Sequence, residues 1–471
     1  MRICIFGNAR PGVPFIFDGG AERTTFSLVS GLAHKGMPVM QICTFPRGDI
    51  ELGAANAASM GVACSRKSGE VELSYDGSMS VRTRGEHLLA RDGLLSILAV
   101  HPSEFQPVCR DIVAQKKCRL LVTWLKGSDQ IVRLGSEFNV PTVLCVVGPY
   151  SPEGYPELGP DTFILANSPV TAQVASEYYG RRVNFILGIV DHASYIAEHR
   201  TPRYITYVNP RTEKGIHLFC KIAALLPGMP FLVIRGWSRD KLKADELQAM
   251  EFISSLPNVT LVSSMQDMRE VYRLTSILLL PSRWQESWAR VIGEVQANGI
   301  PVIASNRGSS PQSVGDGGVI LEYGEPDLWA DVIRLIYHND ELKAELGDCA
   351  RLNTRRFNPA EIIADYVAYF SNPTHAAQDA SGQCRQDKVR VVFGSRDGCG
   401  APRLQHREIN VCAEFDCSEP THPYAHTQFP PHQFCGEGDD SQPPIRLRRS
   451  LRRPLPESRG ATRARARARL Y

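Results

Sequence analysis

Short apolar runs alternate with amphipathic stretches along this chain, and the alternation occurs twice. In the first pass RICIF is followed by DGGAERTTFSLVSGLAHKG, whose Phe26, Leu28, Val29 and Leu32 form a helical stripe, and then by PVMQICTF, LLVTWL, QIVRLGSEFN, TVLCVV and TFILANS. The second pass runs RYITYVNP, KGIHLFCKIAALLPG, PFLVIRG, VTLVSS, DMREVYRLTS and SILLLPS. Continuous short apolar runs are the pattern of strands buried on both faces. Strands alternating with helices predict open, mostly parallel sheets covered by helices, here in two α/β copies with a cleft between them. The fragment YGRRVNFILGIVDHASY has no clear period and reads as the link between the copies.

This pattern divides the chain into a first Rossmann-like domain over 1–190, a second over 200–355, a helix over 356–371 packing back on the first domain, and a tail over 372–471. The helix follows from NPAEIIADYVAYF. The tail mixes Pro, Gly and alternating Arg, as in GEGDDSQPP and ATRARARARLY, without a sustained apolar period, which predicts disorder. It carries 16 Lys and Arg against 11 Asp and Glu, whereas the body carries 37 against 39. Basicity therefore belongs to the tail, and the body has no footprint for a specific nucleic acid.

No apolar run approaches the ~18 residues that mark a membrane span. The opening MRICIFGNARPG is too soon broken by Gly, Asn and Pro for a signal peptide and reads as a first buried strand. Cys4, Cys43, Cys145 and Cys220 sit in apolar segments at irregular spacing, as small core residues do. The expectation is a reducing, cytoplasmic setting.

Within the second pass, PSRWQESWARVIGEVQANGIPV puts Glu286 in a polar loop and Glu294 about two turns further on. Val291, Ile292 and Val295 recur at helical spacing, and Gly299 followed by Pro301 is a stop signal. The unit is strand, loop, helix, strand, with its crevice at the carboxyl ends of the strands, and both carboxylates are candidates to face that crevice. Taken alone, the pair also fits ordinary surface charges. In the tail, Cys412, Cys417, His422 and His426 run C-x4-C-x4-H-x3-H, a spacing too short for a familiar zinc finger and read as an accidental cluster.

The stretch from Ser282 through Gly318, with Glu286, Glu294, NGIPVIASNRG and GDGG, resembles the nucleotide-sugar site of glycosyltransferase family 4, of the retaining GT-B class. GGAER at Gly19 to Arg23, ANSPVTA at Ala166 to Ala172, EKG at Glu213 to Gly215, and MREVYRLTSILLLPS stand in that family's order. The resemblance covers about the first 370 residues. It implies a GT-B fold, two Rossmann-like domains facing a central cleft. It further implies transfer of a sugar from a nucleotide-diphosphate-sugar donor to an acceptor hydroxyl with retention. The acceptor class stays open among glycan, lipid-linked and small-molecule hydroxyls, as does peripheral membrane association.

By the same resemblance Glu294 accepts hydrogen bonds from the donor's ribose. Glu286 lies near the donor sugar, beside the amides of Ser287, Trp288 and Ala289 at a helix start. Lys214 is placed to reach the diphosphate and stabilise the leaving group, and Gly19 and Gly20 let the backbone approach a phosphate or sugar. The family's arginine, five residues before the lysine, is replaced here by Asn209, with Arg211 as the candidate substitute. Glu22 and Arg23 read as a solvated first turn without a role. Trp288 and Ala289 make a bulky loop where a glycine is common, Gln312 replaces a frequent glutamate, and VVGPY offers no histidine at Gly148. These departures motivate two alternatives, a non-catalytic nucleotide-sugar-binding subunit and a nucleotide-sugar epimerase on the same fold. With no Asp-x-Asp pattern near the cleft segments, no cofactor or essential divalent metal is expected.

Overall fold

The first sheet is built around Ile3–Gly7 (β1), with Val39–Thr44 (β2), Ala63–Glu72 (β3), Ser80–Asp92 (β4), Leu95–Val100 (β5), Leu120–Trp124 (β6), Thr142–Val146 (β7), Thr162–Ala166 (β8) and Asn184–Phe185 (β9). Its order is β3-β4-β5-β2-β1-β6-β7-β8-β9. Strand β1 lies parallel between β2 and β6, so Cys4 stands opposite both Met40 and Leu121. The computed structural model describes residues 3–7, 20–44, 54–55, 57–58, 62–72, 80–124, 128–148, 156–159, 161–236, 242–265, 267–374 and 388–410. Residues Met1–Phe415 form one compact unit; the second, Asp416–Tyr471, lies outside the described residues.

The second sheet holds Tyr204–Val208 (β10), Phe231–Ile234 (β11), Val259–Val262 (β12), Thr275–Leu280 (β13), Val302–Ser305 (β14), Gly318–Leu321 (β15), Lys388–Arg396 (β16) and Pro402–Asn410 (β17). Its order is β12-β11-β10-β13-β14-β15-β16-β17, parallel from β12 through β16. All residues of β13 and β14 are buried, as their unbroken apolar runs predict. The two Rossmann-like domains face each other across a cleft. Local signals work as expected. In ANSPVTA, Ser168 caps the helix Pro169–Tyr179 by accepting from the Thr171 amide, Pro169 fills its first turn, and Gly180 ends it in the left-handed region.

The helix Pro359–Ser371 places Ile362, Tyr366, Tyr369 and Phe370 in the core that surrounds β1 of the first sheet, and the Tyr369 hydroxyl donates to the Ile164 carbonyl at 3.2 Å. The carboxy-terminal chain thus ties the second domain back to the first.

Three features depart from the sequence reading. Between β2 and β6 the sequence pass assigns no element, yet the structure adds the antiparallel β3–β4 ribbon, strand β5 and the helix Phe105–Ala114. The ribbon alternates charged and apolar residues, so half of it reads as loop. Cys4 is not a free core thiol but is joined to Cys118, because β1 and β6 are neighbours and Cys118 lies just ahead of β6. Part of the tail is ordered: β16 adds to the edge of β15, with Val319 opposite Val392, and returns through β17. Val389, Val391 and Val392 are buried there. A composition averaged over the hundred-residue tail hides the nine residues of β16, whose valines supply the apolar contact a strand between β15 and β17 needs. The remaining tail, with its four candidate zinc ligands, lies outside the described residues.

Candidate functional site

The site grows from the loop that follows β13. Pro281 ends the strand, residues 281–289 cross the cleft side, and the helix Arg290–Gln296 leads to β14. Two glycines let neighbouring loops close on this one. Gly215, at φ +83°, would place a Cβ 1.7 Å from the Pro281 carbonyl oxygen, and Gly308, at φ +57°, would place one 2.1 Å from the Glu286 carbonyl oxygen. Neither position tolerates a side chain, which explains the glycines of EKG and NRG physically.

Glu286 is buried, and its carboxylate accepts from Lys214 Nζ at 2.6 and 2.8 Å and from the Ser282 hydroxyl. Lys214, 22% exposed, also stands 5.2 Å from the centroid of the Trp284 ring. Backbone bonds fix this neighbourhood, since the amides of Arg283 and Trp284 both donate to the Glu213 carbonyl. Lys214 and Glu286, 72 residues apart, therefore meet as one charge pair beside a half-exposed tryptophan.

Glu294 is also buried but has different company. Its Oε2 accepts from the Tyr272 hydroxyl at 2.5 Å, and Arg290 Nε lies 3.6 Å from its Oε1. Burial, and then the adjacent Glu294 carboxylate, raise the Tyr272 phenol well above its usual pKa, so it stays a donor. Tyr272 comes from the helix Arg269–Leu274 that precedes β13.

Arg211 is drawn elsewhere. Its Nε stands 3.0 Å from Glu246 Oε1, and the fully buried Glu246 also accepts from the backbone amides of Thr212 and Lys243 at 2.8 Å each. Asn209 adopts a left-handed backbone with φ +61°, which asparagine tolerates better than most residues. A cavity of about 350 Å³ opens at the carboxyl ends of β10 and β11, lined by Asn209, Arg211, Arg235, Gly236, Leu242 and Met250 among others.

The loop residues of the resemblance reach the first domain. The Ser287 hydroxyl donates to the Val147 carbonyl at 3.0 Å, and the Trp288 ring packs against Gly188 and edge-on to Phe357 at 5.0 Å. Ala289 precedes the helix Arg290–Gln296, which has only seven residues. Gly20 opens the helix Gly20–His34, while Gly19 lies outside the described residues. Arg23 is not a plain solvated charge: its NH1 donates to the Tyr195 hydroxyl at 3.4 Å. Among the described residues, no three His, Cys, Asp or Glu side chains gather to hold a metal ion, and no helix is long and apolar enough to cross a membrane.

Sequence reasoning missed Tyr272, Arg290, Glu246 and Ser282. Tyr272 and Arg290 lie inside quoted motifs but carry no separate signal. Glu246 accepts from the Lys243 amide at the start of the helix Ala244–Ser255, where a Ser or Thr in place of Lys243 would have completed and marked a capping box.

Comparison with known proteins matches residues 192–353 to the family described as glycosyl transferases group 1. A stretch of 127 residues is 32% identical to D-inositol 3-phosphate glycosyltransferase of Corynebacterium efficiens, covering 26% of this chain and 30% of that protein. The residues matched to the family hold strands β10 to β15 and the Glu286 loop. A stretch of 89 residues is 32% identical to spore coat protein SA of Bacillus subtilis, covering 18% of this chain and 24% of that protein. The matched stretches thus span under a third of either relative. In fold, the chain is similar to sucrose-phosphate synthase from Thermosynechococcus elongatus, with a TM-score of 0.59 at 14% identity over 79% of this chain and 99% of that one. It is also similar to the Anabaena protein HepE in complex with UDP, with a TM-score of 0.57 at 16% identity over 79% and 100%.

Proposed function

We propose that this protein is a retaining glycosyltransferase of family 4 that moves a sugar from a nucleoside-diphosphate sugar to an acceptor hydroxyl. The observation that carries the reading is the Lys214–Glu286 pair, buried at the carboxyl end of β13 in a cleft between two domains. In the proposed step the bond from the anomeric carbon to the diphosphate oxygen breaks, and the bond to the acceptor oxygen forms on the same face. The acceptor's proton passes to the departing diphosphate. Lys214 would stabilise the negative charge that gathers on that diphosphate, Glu286 would orient the sugar, and Glu294 would hold the ribose. Arg211 stands as a donor-side residue only if it exchanges Glu246 for a phosphate, and Gly20 would bring the backbone close to the donor. HepE and its complexes with UDP and with UDP-glucose support a uridine nucleotide as the first donor to try.

No metal takes part in the proposed step, so turnover should survive a chelator. A cytoplasmic setting belongs to the same proposal. The Cys4–Cys118 bridge argues against it, because reducing compartments keep thiols free; thiol counting on protein purified without reductant decides the matter.

The test is incubation with UDP-, GDP- and ADP-sugars and a panel of sugar and polyol acceptors. Product with the donor's anomeric configuration, read from proton coupling constants, supports the reading. Inverted product overturns retention. A second reading, a nucleotide-sugar-binding subunit without turnover, draws on one observation: Lys214 and Ser282 already occupy both oxygens of Glu286. Donor binding without transfer or hydrolysis would favour it.

A further inference from the structure

Arg290 opens the helix Arg290–Gln296, one turn ahead of Glu294, and its side chain is only 8% exposed. A buried guanidinium is costly unless its donors are used. Its NH1 donates to Thr24 Oγ1 at 3.0 Å and to the Ile189 carbonyl oxygen, and its NH2 donates to the Tyr195 hydroxyl at 3.3 Å. Its Nε finds no hydrogen-bond acceptor and points toward Glu294 Oε1 at 3.6 Å. Three pieces of chain meet at this one side chain. Thr24 belongs to the helix Gly20–His34 of the first domain, Ile189 and Tyr195 to the link between domains, and Glu294 to the second domain.

The arrangement of Glu294 adds a constraint. Tyr272 holds Oε2, which leaves Oε1 as the oxygen that faces Arg290 and has room for a further donor. A separation of 3.6 Å is an ion pair but too long for a hydrogen bond, so a shift of a few tenths of an ångström at Oε1 decides whether Nε bonds to it. A group that binds Oε1 therefore acts directly on the side chain that grips the other domain.

We propose that Arg290 is a positioning residue that couples occupancy of Glu294 by the vicinal hydroxyls of a nucleotide ribose to closure of the two domains. The inference rests on the donor reading of Glu294 given above. Lysine cannot replace the fork: one ammonium placed near Glu294 does not also span Thr24, Ile189 and Tyr195.

The experiment uses the full chain with Arg290→Leu, Arg290→Lys and Thr24→Val, each first checked for an unchanged urea midpoint cooperativity. Small-angle X-ray scattering reads the radius of gyration with and without nucleotide, and calorimetry reads the Kd for UDP, GDP and ADP. Arg290→Leu should enlarge the nucleotide-free radius and weaken nucleotide binding about tenfold or more. Arg290→Lys should enlarge the radius to the same extent but weaken binding only about threefold, since a charge remains near Glu294. Thr24→Val should enlarge the radius with a similarly small change in Kd. A merely structural arginine would lower the urea midpoint without separating these two readouts. An unchanged radius in Arg290→Leu, or an enlarged radius with unchanged Kd, overturns the coupling. Absence of nucleotide binding by the wild-type chain overturns instead the donor reading, and with it the ribose half of the coupling, while the scattering still decides whether Arg290 holds the domains together.

Discussion

Arg211 and Lys214 stand three residues apart in one loop, and each meets a buried glutamate, but the two pairs are built differently. Glu246 takes two of its partners from backbone amides, those of Thr212 and Lys243, and braces the loop against the start of the helix Ala244–Ser255. Glu286 takes its partners from side chains alone, the ammonium of Lys214 and the hydroxyl of Ser282. Backbone amides cannot turn away from a carboxylate without unfolding the loop. Side chains can rotate toward a new ligand. The first pair is thus committed to the fold, and the second is free to exchange partners, which a donor-binding site requires.

The largest expected effect breaks the first pair. Glu246→Ala leaves two partly buried amides and the Arg211 guanidinium without their carboxylate, and removing one partner of a buried pair costs about 3–5 kcal/mol. Urea denaturation should show that loss. A change under about 1 kcal/mol would mean that Glu246 is not a structural brace, and the contrast between the pairs would fall.

Breaking the second pair should act on chemistry more than on stability. Lys214→Ala is expected to cost at least about 2 kcal/mol in kcat/KM, the scale of one charge-assisted contact to a developing anion. Chelation should leave turnover intact in the wild type. Restoration of a chelator-treated enzyme by magnesium would assign the stabilising charge to a metal rather than to Lys214.

The two site glutamates sharpen the comparison further. Glu294→Gln should weaken binding of the bare nucleoside diphosphate and of the intact donor alike, by about 1.5–3 kcal/mol for a hydrogen bond to a charged acceptor. Glu286→Gln should leave bare nucleotide affinity nearly unchanged while lowering transfer. Both substitutions preserve size, and calorimetry with UDP separates them. Equal losses on UDP would remove the division of labour between sugar and ribose.

The parallel parts of the fold were legible because strands such as β13 and β14 are continuous apolar runs bounded by Pro and Gly. Strands β3 and β4 were not, since an antiparallel ribbon with one exposed face mixes charges into its pattern. Strand β16 was lost in the average composition of the tail, although Val389 and Val391 pack on one face of the sheet and Val392 on the other, as in an interior strand. The site shows the same division. Glu286, Glu294 and Lys214 could be named from motif order, and the structure brings Lys214 and Glu286 into contact. Arg290 and Tyr272 could not, because their roles depend on what lies across the cleft or one helix away, and no local spacing records that.

The smallest expected effect concerns Trp284, which lies beside Lys214. Its side chain is 48% exposed, so truncation leaves no cavity in the core and should change stability by less than about 0.5 kcal/mol. The face of its ring 5.2 Å from Lys214 Nζ attracts the ammonium, a contact of about 0.5–1 kcal/mol at an exposed site. If Lys214 must leave Glu286 to reach a diphosphate, the ring offers a second resting place along that path and limits how far the side chain can stray. Trp284→Ala should then lower kcat by about two- to fivefold, the rate equivalent of that contact, while Trp284→Phe, which keeps a π face, should recover most of it. Because UDP carries the same diphosphate, its affinity should fall in step with kcat in Trp284→Ala. Full activity in Trp284→Ala would show that Glu286 and Ser282 alone steer Lys214, and that the mobile pair is as rigidly placed as the structural one.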